Sequence, residues 1–231
     1  MKTSKKILIF IVTISIFILS LAIIDKRVNK SIDFSNVNLL TLEKLYEMNS
    51  DIPVEFEYNH SGNISRIEGT LANFKIYDHN DALRAIYSLK DILYLCDIKD
   101  LKYKDEVHNQ YNDIYYFQQY INDIKVKRGV VTLLVDADKK DAYIVNSYCI
   151  SASGINTTYK IDKNEAIRIV KSIKEYDVNK ITKTELVIYN DSVVGNVLAW
   201  YIETNSYRVP YLYINAYTGE ILYVDSPRDY S

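Results

Sequence analysis

Side chains able to do covalent chemistry are few and scattered in this 231-residue chain. The three histidines, His60, His79 and His108, stand far apart, and none belongs to a His-Glu-x-x-His run. That spacing is what places two imidazoles and a glutamate base on one helical face around zinc. Ser, Thr and Cys have no neighbouring base, and no glycine-rich loop is present to cradle phosphate. The two cysteines, Cys96 and Cys149, lack the C-x-x-C spacing of metal and redox centres. Cys96 is expected on an apolar helical face and Cys149 at a strand end, which reads as two buried thiols. A disulfide between them stays open if the chain is exported. The expectation is therefore a non-catalytic protein with no cofactor and no metal. The residues suited to contact are aromatic: Tyr211, Tyr213 and Tyr223 form an alternating series of a kind enriched at protein interfaces. The preference of tyrosine for sheets explains the same series without a partner, and both readings stand.

Composition narrows the partner. With 28 basic against 30 acidic residues spread along the chain and no basic stripe, nucleic acid is not expected. Only 6 Gly and 3 Pro argue against long flexible linkers, and 48% hydrophobic residues suffice for one or two cores.

The N-terminus directs the chain out of the cytosol. Lys2, Lys5 and Lys6 precede an apolar run from Ile7 to Ile24, followed by Asp25, Lys26 and Arg27. At about 1.5 Å per residue the run reaches about 27 Å, close to a bilayer core of about 30 Å. It reads as an uncleaved anchor, or as a signal peptide cut after Ser20 and Ala22. The early lysines place the N-terminus inside, so residues from about 30 onward are expected outside the membrane. The protein is then cell-membrane bound with an extracellular domain, or secreted after signal cleavage.

The exported part carries an internal repeat. Asp78-His79-Asn80-Asp81-Ala82-Leu83 corresponds to Asp162-Lys163-Asn164-Glu165-Ala166-Ile167. Each reads as a helix start, with Asp78 or Asp162 as N-cap and Asp81 or Glu165 three residues on. Behind the caps, Ala82, Leu83, Ile86, Leu89 and Leu93, and then Ala166, Ile167, Val170 and Ile173, form apolar stripes at helical spacing. Strand patterns follow each helix: 114–121, 125–135 and 142–149, then 185–189, 196–204, 211–216 and 220–224. Asn122-Asp123, Asp138 to Asp141, Asp191-Ser192 and Thr218-Gly219 supply the turns. Upstream, Leu40 to Met48 reads as a short helix, and segments 52–58 and 64–71 as a hairpin about Ser61-Gly62. In 196–204, Leu198, Trp200 and Ile202 share one face while Val197, Ala199 and Tyr201 share the other, so this strand is expected in the middle of a sheet with a helix on one side. Gln118 and Gln119 alternate across a strand, and one is expected to bury its amide against backbone. The fold class is α+β: two related modules, each a helix packed on an antiparallel sheet.

An ordered series of motifs resembles the pro-region of secreted thermolysin-type metallopeptidases. It comprises Gln118-Gln119-Tyr120, the strand Val130 to Val135 ending in Asp136, the capped second helix, Leu198-Ala199-Trp200 and Ala216-Tyr217-Thr218-Gly219-Glu220. Lys127-Arg128 and Lys139-Lys140-Asp141 depart from the family pattern in loops. The resemblance implies a propeptide module of the FTP type over 30–150 and a PepSY (cystatin-like) domain over 160–226, after the anchor or signal segment 1–29. In such pro-regions the segment after the last strand leads into the protease and lies across its cleft; here it is the tail 227–231, with Arg228, Asp229 and Tyr230 as further partner-binding candidates. No peptidase sequence follows before Ser231. The resemblance thus implies a propeptide-like binder that inhibits or chaperones a secreted peptidase. The alternative is a membrane-anchored PepSY modulator of a sensor kinase or cell-wall hydrolase.

Overall fold

The computed structural model describes residues 34–35, 37–51, 53–191 and 195–225. The expected anchor or signal segment and the tail with Arg228, Asp229 and Tyr230 lie outside the described residues, as does Ser192 of an expected turn. Among the described residues no helix is long and apolar enough to cross a membrane.

The architecture is mixed α+β. Among the described residues, three α-helices, α1 (Leu42–Met48), α2 (His79–Ser88) and α3 (Lys163–Ser172), accompany ten strands. The strands are β1 (Glu55–Tyr58), β2 (Ile64–Glu68), β3 (Leu101–His108), β4 (Asn112–Ile121), β5 (Ile124–Asp136), β6 (Ala142–Ser147), β7 (Ile181–Asp191), β8 (Gly195–Thr204), β9 (Tyr211–Asn215) and β10 (Ile221–Asp225).

Both repeat-related helices start as their caps dictate. Asp78 accepts hydrogen bonds from the backbone N–H groups of Asn80 and Asp81, and Asp162 from that of Glu165. Each cap satisfies amides that the first turn leaves without an intrahelical partner. The stripe Ala82, Leu83, Ile86, Leu89 and Leu93 is buried, and α2 lies against β6. Helix α3 buries Ala166 and Val170 against Ile188, Leu198, Trp200, Ile202, Leu212 and Ile214. Trp200 also donates its indole N–H to the carbonyl of Ile161, 2.7 Å away, just before the α3 cap.

Turn chemistry sets the strand order. Asn122 and Asp123 both take left-handed backbone, φ 50° and 61°, the two-residue turn whose twist matches paired strands, and so join β4 to β5. Asp136 accepts from the N–H groups of Asp138 and Lys139 and turns the chain into β6. The sheet runs β1-β2-β6-β5-β7-β8-β9-β10, with β4 also paired to β5 and β3 to β4. Among the described residues all pairings are antiparallel except one: Lys125 and Val126 of β5 run parallel to Val187 and Ile188 of β7. The sheet therefore continues across the boundary expected between two modules. Strand β8 lies between β7 and β9, as its two apolar faces require.

Two elements differ from expectation. Strand β3 had no sequence signature. Cys96 lies in irregular chain rather than on a helix. Leu93 still donates to the Leu89 carbonyl, but Tyr94 N–H donates to Ile64 of β2 at 2.7 Å and draws the chain out of the helical path.

Candidate partner-binding surface

Cross-strand register builds an aromatic layer on the sheet face opposite α3. Glu185, Tyr201, Tyr213 and Tyr223 are successive partners across β7, β8, β9 and β10. Lys183, Glu203 and Tyr211 form the next row, and Val187, Ala199 and Asn215 a third. Because side chains alternate along a strand, these rows share one face, while Leu198, Trp200 and Ile202 point to the helix. Val187, Ala199, Tyr201 and Tyr213 form a buried cluster of their own, with Tyr189, Tyr211 and Leu222 packed against it.

The rings touch in a connected set. Tyr189 stacks on Tyr213 with centroids 4.1 Å apart and planes 16° apart. Tyr201 lies 5.2 Å from Tyr213 and 5.8 Å from Tyr211. Tyr211, Tyr213 and Tyr223 are mutually spaced at 6.2 Å. Offset and edge contacts of this kind contribute about 0.5–1.5 kcal/mol each beyond the area they bury.

A bulge in β5 adds a cation. Tyr120 pairs with Lys125 but Gln118 pairs with Val130, so β5 carries surplus residues between them. Arg128 absorbs the distortion in left-handed backbone, φ 69°. Gln118, only 4% exposed, braces the loop from inside: its amide N–H₂ donates to the carbonyls of Val126 and Gly129, each at 2.7 Å. Gln119 clamps the chain beyond β6, donating to the Ile150 carbonyl at 2.8 Å and accepting from Ile150 N–H at 3.0 Å. Residue 129 is glycine because a Cβ there would lie 2.7 Å from Val126 Cγ1 and 2.9 Å from Gln119 Oε1. So braced, the bulge holds the Lys127 ammonium 3.5 Å from the centre of the Tyr201 ring.

Electrostatics follow from this packing. Burial lowers the Lys127 pKa, and the nearby cations Lys125 and Lys183 lower it further. Burial raises the Tyr201 phenol, reinforced by its hydrogen bond to Glu203 at 2.7 Å. Burial raises Tyr213 as well. The phenols thus stay neutral donors, and the layer offers rigid apolar area with hydroxyl edges beside a partly desolvated ammonium. Among the described residues, no group of three or more His, Cys, Asp or Glu side chains is gathered to hold a metal ion.

The sequence-predicted tyrosines Tyr211, Tyr213 and Tyr223 do come together here, in different roles. Tyr223 is 40% exposed, Tyr211 is half-buried, and Tyr213, expected at the surface, is only 4% exposed because Tyr189 and Tyr201 pack on it. It supports the layer from within. Sequence reasoning missed Tyr189, Tyr201 and Lys127. The two tyrosines follow strand alternation in β7 and β8 and were legible in principle. Lys127 depends on the bulge.

No protein-family model matches the chain, and no curated protein matches it. Among solved structures, the chain is similar to the Bacillus megaterium YpeB C-terminal domain, with 15% sequence identity and a TM-score of 0.40 over 76% of each chain.

Proposed function

We propose that this chain is a non-catalytic, extracytoplasmic, propeptide-like protein that docks on a secreted peptidase and inhibits it or assists its folding. The observation that carries the reading is the connected tyrosine layer on the face of β7–β10 opposite α3, capped by Lys127 and reaching solvent at Tyr211 and Tyr223. A preformed sheet surface loses little conformational freedom on docking, so its contact energy goes into affinity. The resemblance of the chain's motifs to thermolysin-type pro-regions supplies the partner class. The test is an activity and refolding assay on secreted metallopeptidases of the same cell, using the full chain in mild detergent. Inhibition or a higher refolding yield is expected. Combined Tyr211→Ala and Tyr223→Ala should weaken it by roughly 30-fold or more, the scale of about 2 kcal/mol for an interface anchor. No effect on any such enzyme would sink the proposal.

The apolar run Ile7–Ile24 favours a second reading, a membrane-anchored modulator of a sensor kinase or cell-wall hydrolase. In that case an unrelated anchor in place of the run abolishes activity, whereas docking through the tyrosine layer survives the exchange.

A further inference from the structure

Cys96 and Cys149 are separated by 53 positions in sequence, yet their sulfurs lie 2.7 Å apart. Both are held in place by backbone contacts independent of the thiols. On one side, Tyr94 N–H donates to the Ile64 carbonyl, and Asp97 caps the 3₁₀ turn Ile98–Asp100 by accepting from Lys99 N–H. On the other, Tyr148 N–H donates to Val130 and Ile150 is clamped by the Gln119 amide. Cys149 is buried, while Cys96 lines an open cleft of about 240 Å³ together with Tyr94, Asp97, Gln119, Ser151 and Ala152. The pair is therefore built, and half-buried Cys96 borders a cleft open to solvent.

We propose that Cys96 and Cys149 are a disulfide-forming pair, oxidised through the cleft by a small-molecule or protein disulfide. Cys96, giving up its thiol proton as it reacts, attacks the oxidant's S–S bond and expels one thiolate. Cys149 then attacks Cys96 Sγ and expels the second. The chain loses two electrons and two thiol protons, and the oxidant's disulfide becomes two thiols. The second step is favoured by placement, since the Cys149 sulfur already lies beside Cys96 Sγ and needs no approach through solvent. The bond would tie the irregular chain after α2 to the connection that leads from β6 into α3.

The test starts from the full chain, purified reduced in mild detergent, exposed to oxidised glutathione, then denatured, alkylated with iodoacetamide and weighed intact. Loss of two hydrogens, no alkyl adduct and a cross-linked peptide joining Cys96 to Cys149 are expected. Two alkylated thiols, or a glutathione adduct persisting on Cys96, would overturn the proposal. The Cys149→Ser variant is expected to stall with glutathione on Cys96, and a variant without that adduct would count against entry through the cleft. The wild-type masses decide the main question even if the variant does not fold.

Discussion

Replacing Gln118 with leucine, a side chain of similar volume, tests whether the amide holds the β5 bulge. In the native fold the Val126 and Gly129 carbonyls each accept from Gln118 Nε2 at 2.7 Å. Leucine leaves both without that partner in a buried place, at about 1–3 kcal/mol each. Burying leucine in place of an amide returns part of this, leaving a net loss of about 2–4 kcal/mol. For a domain of this size that corresponds to a fall in Tm of roughly 5–15 °C. Trp200 is the only tryptophan and sits under α3, so its fluorescence follows thermal and urea unfolding of the full chain in detergent. Gln118→Glu supplies a control with a sign. A buried carboxylate facing two carbonyls is disfavoured, whereas the neutral acid donates one hydrogen bond, so the folded pKa is raised. Its stability should be greatest below the unfolded glutamate value of about 4.3 and fall as pH rises through the folded value. A Gln118→Leu midpoint indistinguishable from wild type, or a Gln118→Glu penalty that does not grow with pH, would refute the bracing argument.

Two further outcomes are expected. Asp113, 5% exposed, pairs with His108 Nδ1 at 2.6 Å and Lys140 Nζ at 2.7 Å. Burial pushes the Asp113 carboxyl up, but these two partners outweigh it and hold it below the usual range, while hydrogen bonds to Asp113 and then Glu106 raise His108. The His108 contribution is full below the ordinary imidazole value of about 6.5 and lost as pH rises through its raised value; the Asp113 contribution is full above about 3.9 and lost as pH falls through its depressed value. The Tm gap between wild type and His108→Gln should therefore be widest between those two ordinary values and close on the alkaline side, and a gap constant with pH would contradict the pairing. Trp200→Phe removes the 2.7 Å bond to the Ile161 carbonyl and should cost about 1–3 kcal/mol, read by circular dichroism in urea; an unchanged midpoint would show that α3 does not depend on this bond.

What the sequence revealed and what it hid divide along physical lines. The helix caps, the Asn122-Asp123 turn and the central place of β8 were legible because each is a local rule: a carboxylate before free amides, two residues tolerant of left-handed backbone, apolar residues on both faces. Strand β3 was not legible. Its residues, Lys102, Lys104, Asp105 and Glu106 among them, are mostly exposed and among the described residues it pairs only with β4, so no alternation betrays it. Charges on an edge strand also discourage pairing with another chain, so the feature that hid β3 is one that edge strands use. The helix stripe runs on to Leu93 in sequence, whereas α2 ends at Ser88, short turns carry the chain on to Leu93, and a β2 carbonyl then takes the Tyr94 N–H, a contact between distant positions.

The candidate surface shows the same division within one site. Strand alternation alone aligns Tyr201, Tyr211, Tyr213 and Tyr223, but it does not say which rings support and which reach solvent. That depends on Tyr189 lying over Tyr213 and on Lys127 arriving from a different part of the chain. Lys127 reads as a loop substitution in sequence, next to Arg128. In the fold it is delivered by a bulge that Gln118 braces and Gly129 permits, at the place where β5 passes from pairing with β7 to pairing with β6. The Gln118-Gln119 pair thus links scaffold to surface. One amide shapes the bulge that carries the cation, and the other fixes Ile150, the residue after Cys149. If that link holds, Gln118→Leu should weaken partner binding in proportion to the displacement of Lys127, whereas Lys127→Met should weaken binding while leaving the bulge and most of the stability intact. Equal losses of stability in both variants would mean that the cation belongs to the scaffold rather than to the surface.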